Sequence, residues 1–349
     1  MGACLSEVSK AAPTERWQAS STMRRPAKKM TSSTGSVASS SFKTVRASTD
    51  QPPPPTELVS LLSPRDPARQ DARYLEKEDM IAIQAMRASR VSHLAFGAAA
   101  FQNKQLKASM EDECVLLPSI VGPGGERGAF FGVYDGHGGG FVSKHLARNL
   151  HATVQSRFLA DPSASVPNVL CESFAAVDTG LEEMEEADAC GSTAVVCVVL
   201  PTECYVANSG DSHCIFFDGL RTTRLSADHH VRNDAEIDRI KHQQGIILNH
   251  RVSGVSRVTR AFGQNNEKEL IIPTPHVACV ARPRDRTAAF LLLVSDGVTD
   301  VLTDDDMVRY VRRGLLECDL HPDDVCRELL EVCRLKRAVD NMTAVLILL

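Results

Sequence analysis

The alternation of apolar and polar residues changes period several times along this chain, and each change marks an element. Short apolar runs bounded by Gly, Asp or Ser read as strands. They are SHLAFGAAAF (92–101), CVLLPSIV (114–121), AFFGVYD (129–135), STAVVCVVL (192–200), ECYVANSG (203–210), HCIFFDG (213–219), HVACVA (276–281), AAFLLLVSDG (288–297) and MTAVLILL (342–349). Apolar spacings of three and four residues predict helices over 140–159, 166–187, 303–316 and 321–339, and a shorter one over 74–89. Thr303, three residues before Asp306, is placed as an N-cap in a variant of the capping box. Strands and helices cluster instead of alternating strictly. The expected class is therefore α+β with antiparallel sheets, not a doubly wound parallel sheet.

The first 75 residues follow neither period. From Thr31 to Thr49 eleven of nineteen residues are Ser or Thr, and Pro52 to Pro55 form an unbroken run. Such a stretch buries too little apolar surface to offset its ordering entropy. Residues 1–75 are accordingly read as a disordered tail and 76–349 as the folded domain.

Charge divides the chain in the same way. The whole carries −5, but residues 1–50 hold eight Lys/Arg against three Asp/Glu, so that segment is +5 and the remainder −10. An acidic folded domain lacks the electrostatic footprint of nucleic-acid binding. The opening MGACLS fits M-G-x-x-x-[ST], with Gly2 as myristoyl acceptor and Cys4 placed for palmitoylation. A second lipid, or the basic stretch RRPAKK (Arg24–Lys29), would turn marginal binding into stable attachment to an anionic leaflet. The expected location is the cytoplasmic face of a membrane, the plasma membrane being the first candidate. The eleven cysteines include no C-x-x-C pair, which fits reduced thiols better than a zinc site or disulfide framework. Nothing signals an oligomer, and a monomer is expected.

Candidate chemistry lies in four aspartates at strand ends. Asp135 follows AFFGVY, Asp211 follows CYVANSG, Asp296 follows AAFLLLVS, and Asp340 immediately precedes NMTAVLILL. If the last strand runs antiparallel to the one ending at Asp296, both acids share an edge of the sheet. Any one of them alone reads as an ordinary turn residue. Four in matching positions would repel one another unless cations neutralise them, and oxygen ligands alone suit Mg²⁺ or Mn²⁺ better than zinc. A P-loop or dinucleotide-binding enzyme is excluded, because GHGGG lacks the G-x-G-x-x-G spacing and no G-x-x-x-x-G-K-[ST] occurs.

Taken in order, the motifs KASMED (107–112), VYDGHGG (133–139), GSTA (191–194), ANSGDS (207–212), LSADH (225–229), TRAFG (259–263), VSDGVTD (294–300) and DNMTAVL (340–346) resemble a known family. The chain is similar to the metal-dependent protein serine/threonine phosphatases of type 2C over roughly residues 85–349. The resemblance implies a central β-sandwich of two antiparallel sheets flanked by helices. It also implies two Mg²⁺ or Mn²⁺ ions: Asp135 bridges them, Gly136 ligates through its carbonyl, and Asp296 and Asp340 complete the first shell. Glu111 and Asp112 match acids that hold metal-bound waters. Asp211 and Asp300, with Asp296, match a weaker third site. A water between the ions, acidified toward hydroxide, would attack the phosphorus of phosphoserine or phosphothreonine in a protein substrate, and His137 would protonate the leaving oxygen.

Three departures stand out. Lys107 occupies the position of a phosphate-gripping arginine and lacks its bidentate fork. Gln264 replaces an acid after RAFG, within a segment (251–270) of unusual apolar spacing, and His213 stands where an arginine is usual. Lys107 and Gln264 leave open the alternative of a catalytically weak, membrane-tethered module that binds phosphoproteins or serves as a scaffold.

Overall fold

The β-branched and aromatic runs have two faces to bury, and period-two alternation assigns each residue to one of them. The computed structural model describes residues 80–81, 94–283 and 289–349. One sheet has the order β1 (Met80–Ile81), β2 (Ala95–Phe101), β16 (Met342–Leu348), β15 (Phe290–Val294), β9 (His213–Phe217), β10 (Thr222–Arg224). The other has the order β14 (His276–Ala281), β8 (Glu203–Ser209), β7 (Ala194–Val199), β4 (Arg127–Tyr134), β3 (Glu113–Val121). Every pairing in both is antiparallel.

Phe131 and Val133 of β4 meet Phe96, Leu291, Leu293, Val345 and Ile347 of the first sheet in one buried core, which makes the pair of sheets a sandwich. Their neighbours Phe130 and Tyr134 face the other way. There they pack under helix α1 (Phe141–Ala160), through Leu146, Leu150 and Phe158, and under α2 (Val166–Thr179), through Leu170 and Phe174. On the far side α6 (Pro322–Leu335) lies on β2 and β16. It approaches so closely that a side chain at Gly97 would collide with the backbone of Asp323. The implied helix-flanked sandwich is what the chain forms.

Some boundaries differ from the sequence expectation. Met80–Ile81 pair with Phe101 and Ala100 as an edge strand, not a helix, because β2 leaves an unpaired ladder there. The rest of 74–89 lies outside the described residues, as do the tail, Gly2, Cys4 and the basic stretch 24–29. The helix expected over 166–187 stops at Thr179, where Gly180 forms the C-cap, and a 3₁₀ turn follows at Glu185–Ala187.

Residues 229–271 form a small module with its own core of Val231, Ile240, Val252, Val258, Ala261 and Ile271. It contains α3 (Asp234–His242), capped by Asn233, and a hairpin of β11 (Ile247–Leu248) and β12 (Arg251–Val252). The module joins the sandwich through β13 (Phe262–Gly263), which pairs with β6 (Gly191–Ser192), itself paired with β5 (Gly136–His137). After β15 come α4 (Asp296–Thr299) and α5 (Asp304–Leu316). The capping box at Thr303 is present: its hydroxyl accepts from the Asp306 N–H (3.2 Å) and donates to the Asp306 carboxylate (2.8 Å). Among the described residues no helix is long and apolar enough to cross a membrane.

Candidate active site

Antiparallel pairing brings the acid-bearing strand ends together. Val294 stands opposite Ala344, so Asp296 and Asp340 share one end of the first sheet. Glu113 stands opposite Tyr134, so Asp112 and Asp135 share one end of the second. The two ends meet. The Asp296 N–H donates to Asp135 Oδ2 (3.3 Å), and Asp112 Oδ2 accepts from Ser295 Oγ and Thr343 Oγ1, each at 2.8 Å.

This proximity shows in the ionisation of the group. Burial, then the charges of Asp296, Asp112 and Asp211, hold the Asp135 carboxyl well above the usual carboxylate range. Burial and Asp296 push Asp211 up to about 7, and burial raises Asp112 to about 7 despite its two hydroxyl donors. Asp296 is also raised, first by burial and then by Asp340 and Asp300, although its bond with Asp135 works the other way. Asp300 sits one helical turn beyond, its N–H bonded to the Asp296 carbonyl (2.8 Å), at a cleft of about 590 Å³ that also takes in Arg224 and Asp304. Asp135, Asp296, Asp340, Asp112, Asp211 and Asp300 thus gather at one end of the sandwich.

Lys107 is ion-paired with Asp340. Burial disfavours its ammonium, but Asp340, Glu111 and Asp135 outweigh burial and raise its pKa. The expected phosphate-binding lysine is therefore engaged by a carboxylate.

Glycines let the backbone reach this place. A Cβ on Gly136 would lie 2.5 Å from the Glu111 carbonyl, so only glycine brings that backbone so close. Gly138 and Gly139, at φ +70° and +130°, turn the chain into α1. His137 Nε2 is bonded to Gln264 Oε1 (2.8 Å); burial lowers the pKa of His137, and the Gln264 contact and Glu111 oppose this only in part. Gln264 is itself buried, in a left-handed conformation (φ 49°), with its N–H on the Cys190 carbonyl. Glu111 lies beside them: its N–H donates to Asn341 Oδ1 (2.9 Å) and its carboxylate accepts from Ser109 Oγ.

Sequence reasoning gave Asn341 no role, although DNMTAVL contains it. Its amide ties the Gln102 and Ser109 carbonyls to the site. Ser295 and Thr343 were missed as well, since a hydroxyl that orients a buried acid leaves no pattern in one chain. His213 lines the cleft at Asp300, between Asp228 (3.0 Å) and Asp304 (3.4 Å), while Arg224 clamps both of those carboxylates.

The donor set fits a hard cation. Asp112 Oδ1 is buried without a hydrogen-bond partner, and the acids repel one another with Lys107 on Asp340 as counter-charge. Among the described residues no three His, Cys, Asp or Glu side chains converge as a closed metal cage. An open set of carboxylates is the kind that binds Mg²⁺, which keeps several waters and takes one or two protein carboxylates.

The fold places the molecule in a class before a family. A serine-threonine phosphatase 2C from Toxoplasma gondii superposes with a TM-score of 0.62 at 23% identity, over 77% of this chain and 98% of that one. The profile described as Protein phosphatase 2C matches residues 96–342, and the chain belongs to that family. Human Protein phosphatase 1A is 30% identical, covering 73% of this chain and 70% of its own length. Protein phosphatase 2C homolog 1 of Schizosaccharomyces pombe is 27% identical over 78% of each. The molecule is an enzyme, a protein-serine/threonine phosphatase.

Proposed function

We propose that the enzyme hydrolyses phosphoserine and phosphothreonine in proteins with two divalent ions, Mg²⁺ or Mn²⁺, at the acidic end of the sandwich. One observation carries this reading: buried carboxylates from both sheets meet there with their pKa values raised. Asp135, the Gly136 carbonyl, Asp296 and Asp340 would hold the ions, with Glu111 and Asp112 acting through intervening water. Asp211 and Asp300, with Asp296, offer a weaker third position. Bound there, divalent ions would neutralise the acids and supply the Lewis acidity that activates water toward phosphorus.

The chain's own residues supply the rest. Gln264 Oε1 accepts the Nε2 proton of His137 and sets the ring's orientation. The imidazolium form of the ring so oriented would give a proton to the departing Ser or Thr oxygen, and burial, which lowers its pKa, makes that form the stronger acid. Lys107, a point charge on a flexible stem, would hold the phosphate without the two-point grip of an arginine. Hydrolysis of a phosphothreonine peptide should require Mn²⁺ and vanish with chelator or in Asp296→Ala. Turnover equal to that mutant's would overturn the reading in favour of a phosphoprotein-binding module.

We further infer that residues 1–75 form a lipid-bearing tail on a catalytic domain of 76–349, held at the cytoplasmic face of a membrane. The MGACLS start, with Gly2 and Cys4, and the basic stretch 24–29 support this. Gly2→Ala should move the protein to the soluble fraction; unchanged partitioning would refute the tether.

A further inference from the structure

The segment of unusual apolar spacing noted in the sequence lies wholly in the 229–271 module, and the module's hairpin has an apolar face turned outward. Ile247 and Val252 pair across the hairpin and point inward, Val252 being fully buried in the module's core. On the opposite face Leu248 pairs with Arg251, and Ile246 is bonded through its carbonyl to the Ser253 N–H (2.8 Å). Ile246, Leu248 and Val255 are 61%, 54% and 51% exposed. A two-stranded hairpin that shows three large aliphatics to water is built to be covered.

Charge indicates by what. From residue 239 to 266 there is no Asp or Glu. Arg239 and Arg260 are spent on the buried Glu236. The other cations of this stretch are Lys241, Arg251 and Arg257, with His242 and His250. Arg251 stands opposite Leu248, and its Nη1 donates to the Val255 carbonyl (2.6 Å), which sets its charge among the aliphatics. The tip is rigid: Asn249 and His250 both have positive φ (50° and 58°), the signature of a tight type I′ turn, and Ser253 and Gly254 make a second left-handed turn (52° and 76°). A preformed tip of aliphatics with Arg251 among them, on a stretch that carries cations and no acids, loses little conformational freedom on binding. It matches an anionic bilayer, where apolar groups enter the acyl boundary and cations meet the headgroups.

We propose that this hairpin is a membrane-docking element, inserting Ile246, Leu248 and Val255 into an anionic lipid surface while Lys241, Arg251 and Arg257 contact its headgroups. Docking there orients the enzyme as well as holding it, because the same module reaches the active site through β13 and Gln264. The element is distinct from the N-terminal tether and does not require acylation.

The test uses the full chain carrying Gly2→Ala, which removes the acyl chain. Binding is measured by co-sedimentation with phosphatidylcholine vesicles containing about one-third phosphatidylserine, against phosphatidylcholine alone. Ile246→Asp/Leu248→Asp should weaken binding to the anionic vesicles at least roughly tenfold. Arg251→Gln/Arg257→Gln, which leaves the aliphatics in place and guards against misfolding, should weaken it on the order of tenfold as well. Both variants should hydrolyse a soluble phosphopeptide at the wild-type rate. Neutralising the tail (Arg24, Arg25, Lys28 and Lys29 to Gln) should lower binding separately and leave the hairpin effect intact. Hairpin variants that bind vesicles like the parent would overturn the proposal. So would variants that keep vesicle binding but slow hydrolysis of a folded phosphoprotein relative to the peptide, since the face would then dock protein.

Discussion

Two clusters built on buried carboxylates in this molecule have opposite electrostatics. Glu236 in the 229–271 module accepts from Arg260, Arg239 and the Thr259 hydroxyl. Burial alone would raise its pKa, but the two guanidiniums win and bring it down to about 2. At the sandwich end, Asp135, Asp112, Asp211 and Asp296 have no arginine, and their carboxyls are raised instead. The first cluster is closed: its charge is balanced inside the fold, and it holds the module together. The second is left open for cations from outside, which separates a structural acid from a functional one.

The comparison can be broken at either cluster. The largest expected effect is at the open one. Asp135→Asn should lower Mn²⁺-dependent turnover by about a thousandfold or more, the scale of several kcal/mol of lost charge stabilisation. The same substitution should raise the melting temperature of the metal-free protein, because it removes a repelling charge; a calorimetric scan in chelator checks this. A fall in melting temperature would show that the acids are structural. At the closed cluster, Glu236→Ala should cost about 3 kcal/mol of stability by stranding two half-buried guanidiniums, read by denaturant unfolding.

Acidity sharpens the contrast, because the two clusters respond in opposite directions. Asp112 and Asp211 have pKa values near 7 when folded against 3.8 as their ordinary value. The folded form binds more protons between these limits, so their penalty is absent below about pH 4 and complete above about pH 7. Glu236 is the reverse. Its stabilisation is full above its ordinary 4.5 and is lost as the pH falls toward 2. Metal-free protein should therefore be more stable near pH 5 than near pH 8, and unfold more readily below pH 4. Mn²⁺ should abolish the first difference and leave the second. The smallest effect concerns Gln264. Gln264→Ala frees the His137 ring and should lower kcat about tenfold with little change in KM, a fraction of what a positioned acid contributes.

Much of this was legible in one chain because it is written in short-range pattern. The nine strand runs, the helix ends at Gly140 and Thr303, and the aspartates after AFFGVY and AAFLLLVS are local features. What stayed hidden depends on distant partners. Asn341 matters through Gln102, Ser109 and Glu111, which lie more than 200 residues away. The two-residue strands β5, β6 and β13 have no periodicity to detect, and α3 was missed because Asn233 is its main signal. Gln264 was visible as a departure, but only the fold brings it to His137. Lys107 was legible as a charge, yet its engagement with Asp340 required both strand ends to be placed.

The central claim is that the open acids are a divalent-ion site, and Mn²⁺ titration calorimetry near pH 7 in buffers of different ionisation enthalpy tests it most directly. Carboxyls raised to about 7 must shed protons to bind a cation, so wild type should bind Mn²⁺ with net proton release, and Asp135→Asn should show weak binding or none. Binding without proton release, or unchanged in Asp135→Asn, would contradict the account.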